Sequence, residues 1–151
     1  GPAKRWPEAN FLAVCRDWLE RGGSVVLLGT AAEAPVTARL ARDLASPAVA
    51  DLAGKTRLGE LLSLLQQTRA CLANDSGIMH LAAAVGLPGV AIFGSTDPTA
   101  TGPLSSRWTI LCRHEPCAPC LRPECPKGRA VCLELLTPDA AVAALRRLWP
   151  E

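Results

Sequence analysis

The chain has 151 residues, about half of them apolar and a fifth charged, with a formal net charge of +2, which suits one globular domain with a real core. A balance so close to neutral argues against bulk binding to nucleic acid, although basic residues can still act locally. No apolar run approaches the ~20 residues that a bilayer-spanning helix needs, and no secretory pattern opens the chain.

The elements follow in chain order. Residues 8–21 place Phe11, Val14, Cys15 and Trp18 on one face, the spacing of an amphipathic helix, with Pro7 at its start and Gly22-Gly23 at its end. Residues 24–29, SVVLLG, read as a buried parallel strand. A second helix is predicted over roughly 33–45, with Val36, Leu40 and Leu44 as its apolar stripe. A weak strand, AVADL, lies at 48–52. A third helix spans 57–68, with Thr56 as its N-cap and Leu58, Leu61, Leu62 and Leu65 facing the core. Strand 70–75 leads into helix 77–86, which Gly86 stops. Strand 89–94, a loop over 95–106 and strand 108–112 come next. Residues 113–132 are irregular and rich in proline and cysteine. Thr137-Pro138-Asp139 starts a last helix that runs to about 148.

Strand and helix alternate four or five times, the pattern of an α/β protein with a doubly wound parallel sheet of Rossmann-like type. Ligands in such sheets sit beyond the carboxyl ends of the strands. Three loops fall there and can converge on one edge: Gly29–Glu33, Asn74–Gly77 and Gly94–Asp97.

Each loop supports two readings. Asp75, Ser76 and Gly77 sit at a helix N-terminus, where unpaired N–H groups and the positive end of the macrodipole suit a phosphate. Asp75 can accept from a sugar hydroxyl, Ser76 adds a donor and Gly77 opens the backbone; alternatively Asp75 or Ser76 is only a cap. His80 lies one turn on and either reaches back to a ligand or packs against the next strand. Thr96 and Asp97 are either ligand contacts or parts of an Asp-Pro turn. Thr30 and Glu33 suit ribose hydroxyls or a helix start. Lys4, before the first helix, can neutralise a diphosphate or simply be exposed, and Trp6 beside it is a packing anchor. Neither GxGxxG nor GxxxxGK[ST] is present.

Of seven cysteines, Cys15 and Cys71 fall in apolar periodic segments and read as small core residues. The other five fall within 21 residues, and Cys117 to Cys132 follow C-x2-C-x4-C-x6-C. In a chain of cytosolic character these are not a secreted disulfide framework. Tetrahedral zinc, free thiols and disulfides formed on handling all remain open. Cys120 makes a poor candidate nucleophile, since only His114 is near and no acid orients it.

Taken together, AKRWP (3–7), VVLLGTAAE (25–33), LAGKTRLGELLSLL (52–65), NDSGIMHLAAAVGLP (74–88) and GSTDP (94–98) resemble the ADP-heptose:lipopolysaccharide heptosyltransferases. The segment CAPCLRPECPKGRAVC is similar to the heptosyltransferase II version. The resemblance covers nearly the whole chain. It implies the C-terminal, donor-binding half of a GT-B glycosyltransferase, a single domain over 1–151 with a Cys-rich loop at 112–132. The implied reaction transfers heptose, with inversion, from ADP-L-glycero-β-D-manno-heptose to the inner core of lipopolysaccharide. It uses no cofactor and is not built around a catalytic metal, and its general base lies in an N-terminal domain. Carried over by motif, Lys4 contacts the diphosphate or heptose, Glu33 the ribose, Asp75 the heptose hydroxyls, and Ser76 and Gly77 the phosphate. His80 lies beside them, and Thr30 and Thr96 line the pocket. The family often has threonine where Ser76 stands, so the hydroxyl survives. The partners implied are ADP-heptose, a lipopolysaccharide acceptor and the chain's own N-terminal domain. The place implied is the cytoplasm, at the inner face of the inner membrane.

Overall fold

A computed structural model describes residues 1–148. Among the described residues five short strands form: β1 (Val25–Leu27), β2 (Val49–Asp51), β3 (Cys71–Asn74), β4 (Gly89–Phe93) and β5 (Trp108–Cys112). All their pairings are parallel, and each crossover between paired neighbours contains a helix. The helices are α1 (Glu8–Glu20), α2 (Ala34–Leu44), α3 (Leu58–Gln67), α4 (Gly77–Ala84), α5 (Pro98–Thr101), α6 (Val131–Glu134) and α7 (Pro138–Leu148). The α/β class is as expected. The ladder, however, is interrupted: β1 pairs with β2 in one sheet, and β3–β4–β5 form another. Leu28, just past β1, packs against the core of the larger sheet and links the two.

The centre of the fold is β4, buried at all of its positions. Successive side chains of a strand point to opposite faces. Val90 and Ile92 accordingly join Trp6, Val14, Leu133, Ala141, Ala144 and Leu145 on the α1–α7 side. Ala91 and Phe93 join Leu65, Ala73, Met79, Ala82, Leu87 and Trp108 on the α3–α4 side. A sheet covered on both faces must read as a continuous apolar run, which is what GVAIF is. Full burial of Phe93, Met79 or Ile92 contributes about 1.5–3 kcal/mol each.

Local chemistry sets most of the boundaries. Gly86 (φ +79°) ends α4, its N–H donating to Ala83 O while Leu87 N–H reaches Ala82 O, an arrangement that needs a left-handed residue. Two expectations fail in α3. The helix starts at Leu58, so the cap position is Arg57 rather than Thr56, and Glu60 Oε2 accepts from the Arg57 N–H at 2.7 Å. Leu58 itself, at the first position of the helix, is 61 % exposed, and the core stripe begins with Leu61. The loop expected over 95–106 contains the short α5, capped by Asp97.

Candidate functional site

Parallel strands all end on one edge, and β3 and β4 end almost level there, with Asn74 beside Ile92. The segment before α1 crosses this edge. Trp6 holds it: the ring is 2 % exposed and meets Phe11 edge-on at 5.1 Å and 79°, and its Nε1–H donates to Leu136 O at 2.9 Å. The backbone N–H of Trp6 donates to Asn74 Oδ1 at 3.1 Å. These contacts bring the Lys4 side chain over the end of β3, although the two lie about seventy residues apart in sequence.

There Lys4 Nζ donates to Asp75 Oδ2 at 2.8 Å, with side-chain exposures of 37 % and 6 %. Thr96 Oγ1 donates to the same oxygen at 2.8 Å, and Thr101 Oγ1 lies at the outer limit, 3.5 Å. A carboxylate this buried needs a cation and hydroxyls around it. The cation is partly in water, so the pair itself is screened and adds modestly to stability. The structure thus brings together Lys4, Asp75 and Thr96, and adds Thr101, which the sequence reading did not select. One signal for it existed. Asp97 caps α5 by accepting from Thr99 N–H (2.9 Å) and Thr99 Oγ1 (2.8 Å), which places Thr101 four residues on, at 3.2 Å from Asp97 O. The Thr99 hydroxyl and amide, helped by His114, hold the Asp97 carboxyl below its ordinary range. Asp97 is therefore a cap, as the turn reading had it.

The opposite outcome holds at α4. Ser76 occupies its N-cap position in extended backbone (φ −155°, ψ 165°), yet makes no side-chain cap bond, and Asp75 is turned to Lys4 and Thr96. Ser76 and Gly77 are exposed, and a Cβ built on Gly77 would meet nothing within 4 Å. The first N–H groups of α4 therefore lack a side-chain acceptor at an open helix end. His80 lies one turn further, exposed, with its N–H at 3.5 Å from Ser76 O, so it is not the packed histidine of the alternative reading.

Thr30 and Glu33 form a separate unit. Glu33 Oε2 accepts from Thr30 N–H (2.8 Å) and Thr30 Oγ1 (2.9 Å), a reciprocal capping box. Among the described residues neither side chain bonds to Lys4, Asp75 or Thr96, so convergence of the three loops is seen for two of them. Glu33 Oε1 makes no hydrogen bond among the described residues.

The Cys-rich segment runs beside the same edge. Leu121 N–H donates to Ser95 O (2.7 Å) and Ala3 N–H to Pro123 O (3.0 Å). All seven cysteines are free. Burial and the neighbouring Cys117 and Cys125 thiols push Cys132 up. Among the described residues no three metal-ligating side chains already converge on one point. Cys15 and Cys71 are partly buried rather than in the core, and burial pushes their thiols up to about 11 and about 12, which lowers their reactivity.

Comparison with known proteins bears on this edge. The family model for glycosyltransferase family 9 (heptosyltransferase) matches residues 1–131. Lipooligosaccharide heptosyltransferase 2 of Haemophilus influenzae is 40 % identical over 114 residues, 74 % of this chain and 33 % of that protein. Lipopolysaccharide heptosyltransferase 1 of Pseudomonas aeruginosa is 40 % identical over 123 residues, 81 % of this chain and 34 % of that protein. Among solved structures, E. coli ADP-heptose lps heptosyltransferase II superposes with a TM-score of 0.85 at 30 % identity, covering 98 % of this chain and 43 % of that one. The chain spans about a third of the length of the curated relatives it matches.

Proposed function

The chain belongs to glycosyltransferase family 9, the heptosyltransferases, and from that premise we propose that it is the ADP-heptose-binding part of a lipopolysaccharide heptosyltransferase with two facing Rossmann-like domains. The observation that carries this reading is the bare N-terminus of α4 beside Lys4–Asp75–Thr96. A serine and an aspartate both stand where a cap belongs, and neither caps. The site keeps its N–H groups for another acceptor, and a phosphate is the acceptor such an end favours.

In this reading Ser76 and Gly77 receive the diphosphate and Lys4 lies alongside. Asp75, oriented by Thr96, accepts from heptose hydroxyls. Glu33 Oε1 accepts from the ribose, with Thr30 fixing the other oxygen and His80 flanking the site. As the bond from the anomeric carbon to the phosphate oxygen breaks, its electron pair moves onto the leaving ADP. The helix end and Lys4 stabilise that charge without reorganising; the helix contribution is about 0.3–1 kcal/mol when exposed and up to ~2 when partly buried. The proton on the acceptor hydroxyl goes to a base outside this chain, on an N-terminal domain that also holds the inner-core acceptor at the inner face of the inner membrane. The chain alone then binds donor and does not transfer.

Titration of the isotope-labelled chain with ADP tests this. Amides of 29–33 and 75–80 shift if the reading holds; no shift there at millimolar ADP overturns it. Competition between ADP-heptose and other ADP- or UDP-sugars tests the choice of donor within the family.

A further inference from the structure

Residues 113–130 contain neither helix nor strand, yet they thread between Ala3 and Ser95 and bond to both. Loops this long without structure of their own are uncommon inside a compact domain unless something holds them. Their apolar residues supply little: Leu121 is 70 % exposed. The segment instead lines a small cavity, about 70 Å³, with Cys117, Cys120, Cys125 and Cys132. That volume is too small for a nucleotide and is of the order of one or two waters.

Ser95 lines the same cavity. It is 2 % exposed, and its Oγ is buried with no hydrogen-bond partner. A buried hydroxyl left unpaired costs about 1–3 kcal/mol, so the cavity calls for a group that can accept from it. Neutral thiols are weak acceptors, and Cys125 Sγ already donates to Arg129 O at 2.9 Å. Thiolates bound to a cation are far stronger acceptors, and hydrogen bonds from neighbouring donors are what metal–thiolate groups use to fix their geometry.

We propose that Cys117, Cys120, Cys125 and Cys132 form a structural zinc site, with the Ser95 hydroxyl donating to one of its thiolates. The order C-x2-C, a short connection, then two further cysteines supplies four soft ligands, the set that selects zinc over harder cations. Zinc replaces the four thiol protons, which are released, and the site gains two units of negative charge in all. Lys127, also on the cavity wall, offsets part of it. The sulfurs here are in the thiol form and do not yet converge. Zinc–sulfur bonds of about 2.3 Å set sulfurs about 3.8 Å apart in a tetrahedron, so binding draws the loop inward. The cavity adjoins Ala3 and Gly94-Ser95, the chain neighbours of Lys4 and Thr96. The metal therefore sets the walls of the candidate site without touching a ligand there, and its existence does not depend on the donor reading.

The test is the metal content of the chain purified under reducing conditions, followed by cobalt substitution of the apo form. The expected result is about one zinc per chain, and intense visible absorption of tetrahedral cobalt thiolate after exchange. Cys120→Ser and Cys132→Ser lose the metal, while Cys112→Ser, outside the motif, keeps it. Ser95→Ala keeps it with affinity reduced roughly 10-fold. A folded, reduced chain without zinc that gives no cobalt band overturns the proposal, whether its cysteines prove free or disulfide-bonded. So does a Cys120→Ser variant that binds as tightly as the parent. The parent's metal content is decisive even where a variant fails to fold.

Discussion

Gly77→Ala separates ligand binding from folding at the candidate site. The added methyl meets nothing within 4 Å, and Gly77 does not require a positive φ. Alanine is better than glycine in a helix by up to ~1 kcal/mol, so the melting temperature should hold or rise, by up to about 4 °C for a domain of this size. The same methyl stands at the open start of α4, where a phosphate must approach the N–H groups. Loss of that helix-end contact, about 0.3–2 kcal/mol, weakens ADP roughly 2- to 30-fold. Gly94→Ala is the counter-case. Its methyl would lie 2.7 Å from Leu133 Cγ and 2.9 Å from Ala3 O, an overpacking that costs about 1–3 kcal/mol of stability. Thermal melts followed by circular dichroism and ADP titration by calorimetry read both quantities. Unchanged ADP affinity in Gly77→Ala would refute the placement of phosphate at α4. A lower melting temperature in the same variant would refute the open geometry from which the prediction is drawn.

Three further outcomes follow from the same structure. Ser76→Ala should change stability by no more than about 0.5 kcal/mol, because its hydroxyl makes no cap bond, while ADP affinity falls; a loss of the ~1 kcal/mol typical of a capping serine, read in urea unfolding, would restore the cap reading. Trp6→Ala should cost about 3–5 kcal/mol, since the ring is in the core and its N–H satisfies Leu136 O; a melting temperature within a few degrees of the parent would count against that anchor. Alkali should destabilise the fold from about pH 9 upward. The Cys71 thiol titrates near its ordinary 9.0 when unfolded and near about 12 when folded, so the unfolded chain loses its proton first and stability falls through that window, by up to about 4 kcal/mol. Cys71→Ala should flatten the fall in urea midpoint between pH 9 and 12, and an unchanged slope would contradict the burial of that thiol.

Local patterns made much of the fold legible. The apolar run and its bounding residues gave β5 its ends, and the helical spacing of Val14 and its neighbours gave α1 to within a residue. What local spacing cannot carry are contacts between distant residues. Trp6 reads as an anchor from its type, but its partner Leu136 lies 130 residues away. Asp75, Ser76 and Gly77 read both as cap and as ligand site, because one residue pattern serves both, and spacing alone favours the cap. The turning of Asp75 toward Lys4 and Thr96, and the missing cap bond of Ser76, are contacts that no local pattern shows. Thr101 stayed hidden because α5 is a single turn, too short for periodicity. Leu58 fits the helical stripe and is nonetheless exposed at the first position of α3. The place of Thr30 and Glu33 after a strand groups them with the other loops, yet they hydrogen-bond to each other.

The alternation of β4 between two cores has a consequence for changes of length. One residue inserted between Gly89 and Val90 would exchange the faces of the strand, sending Val90 and Ile92 toward α3 and α4 and Ala91 and Phe93 toward α1 and α7. Both half-cores would fail together, and Thr96 would leave Asp75. An insertion beside Leu104, which is 98 % exposed, meets no such constraint. Length variation in descendants of this sequence should therefore gather between α5 and β5 and be absent from β4, so that insertions and deletions trace the buried strand independently of residue identity.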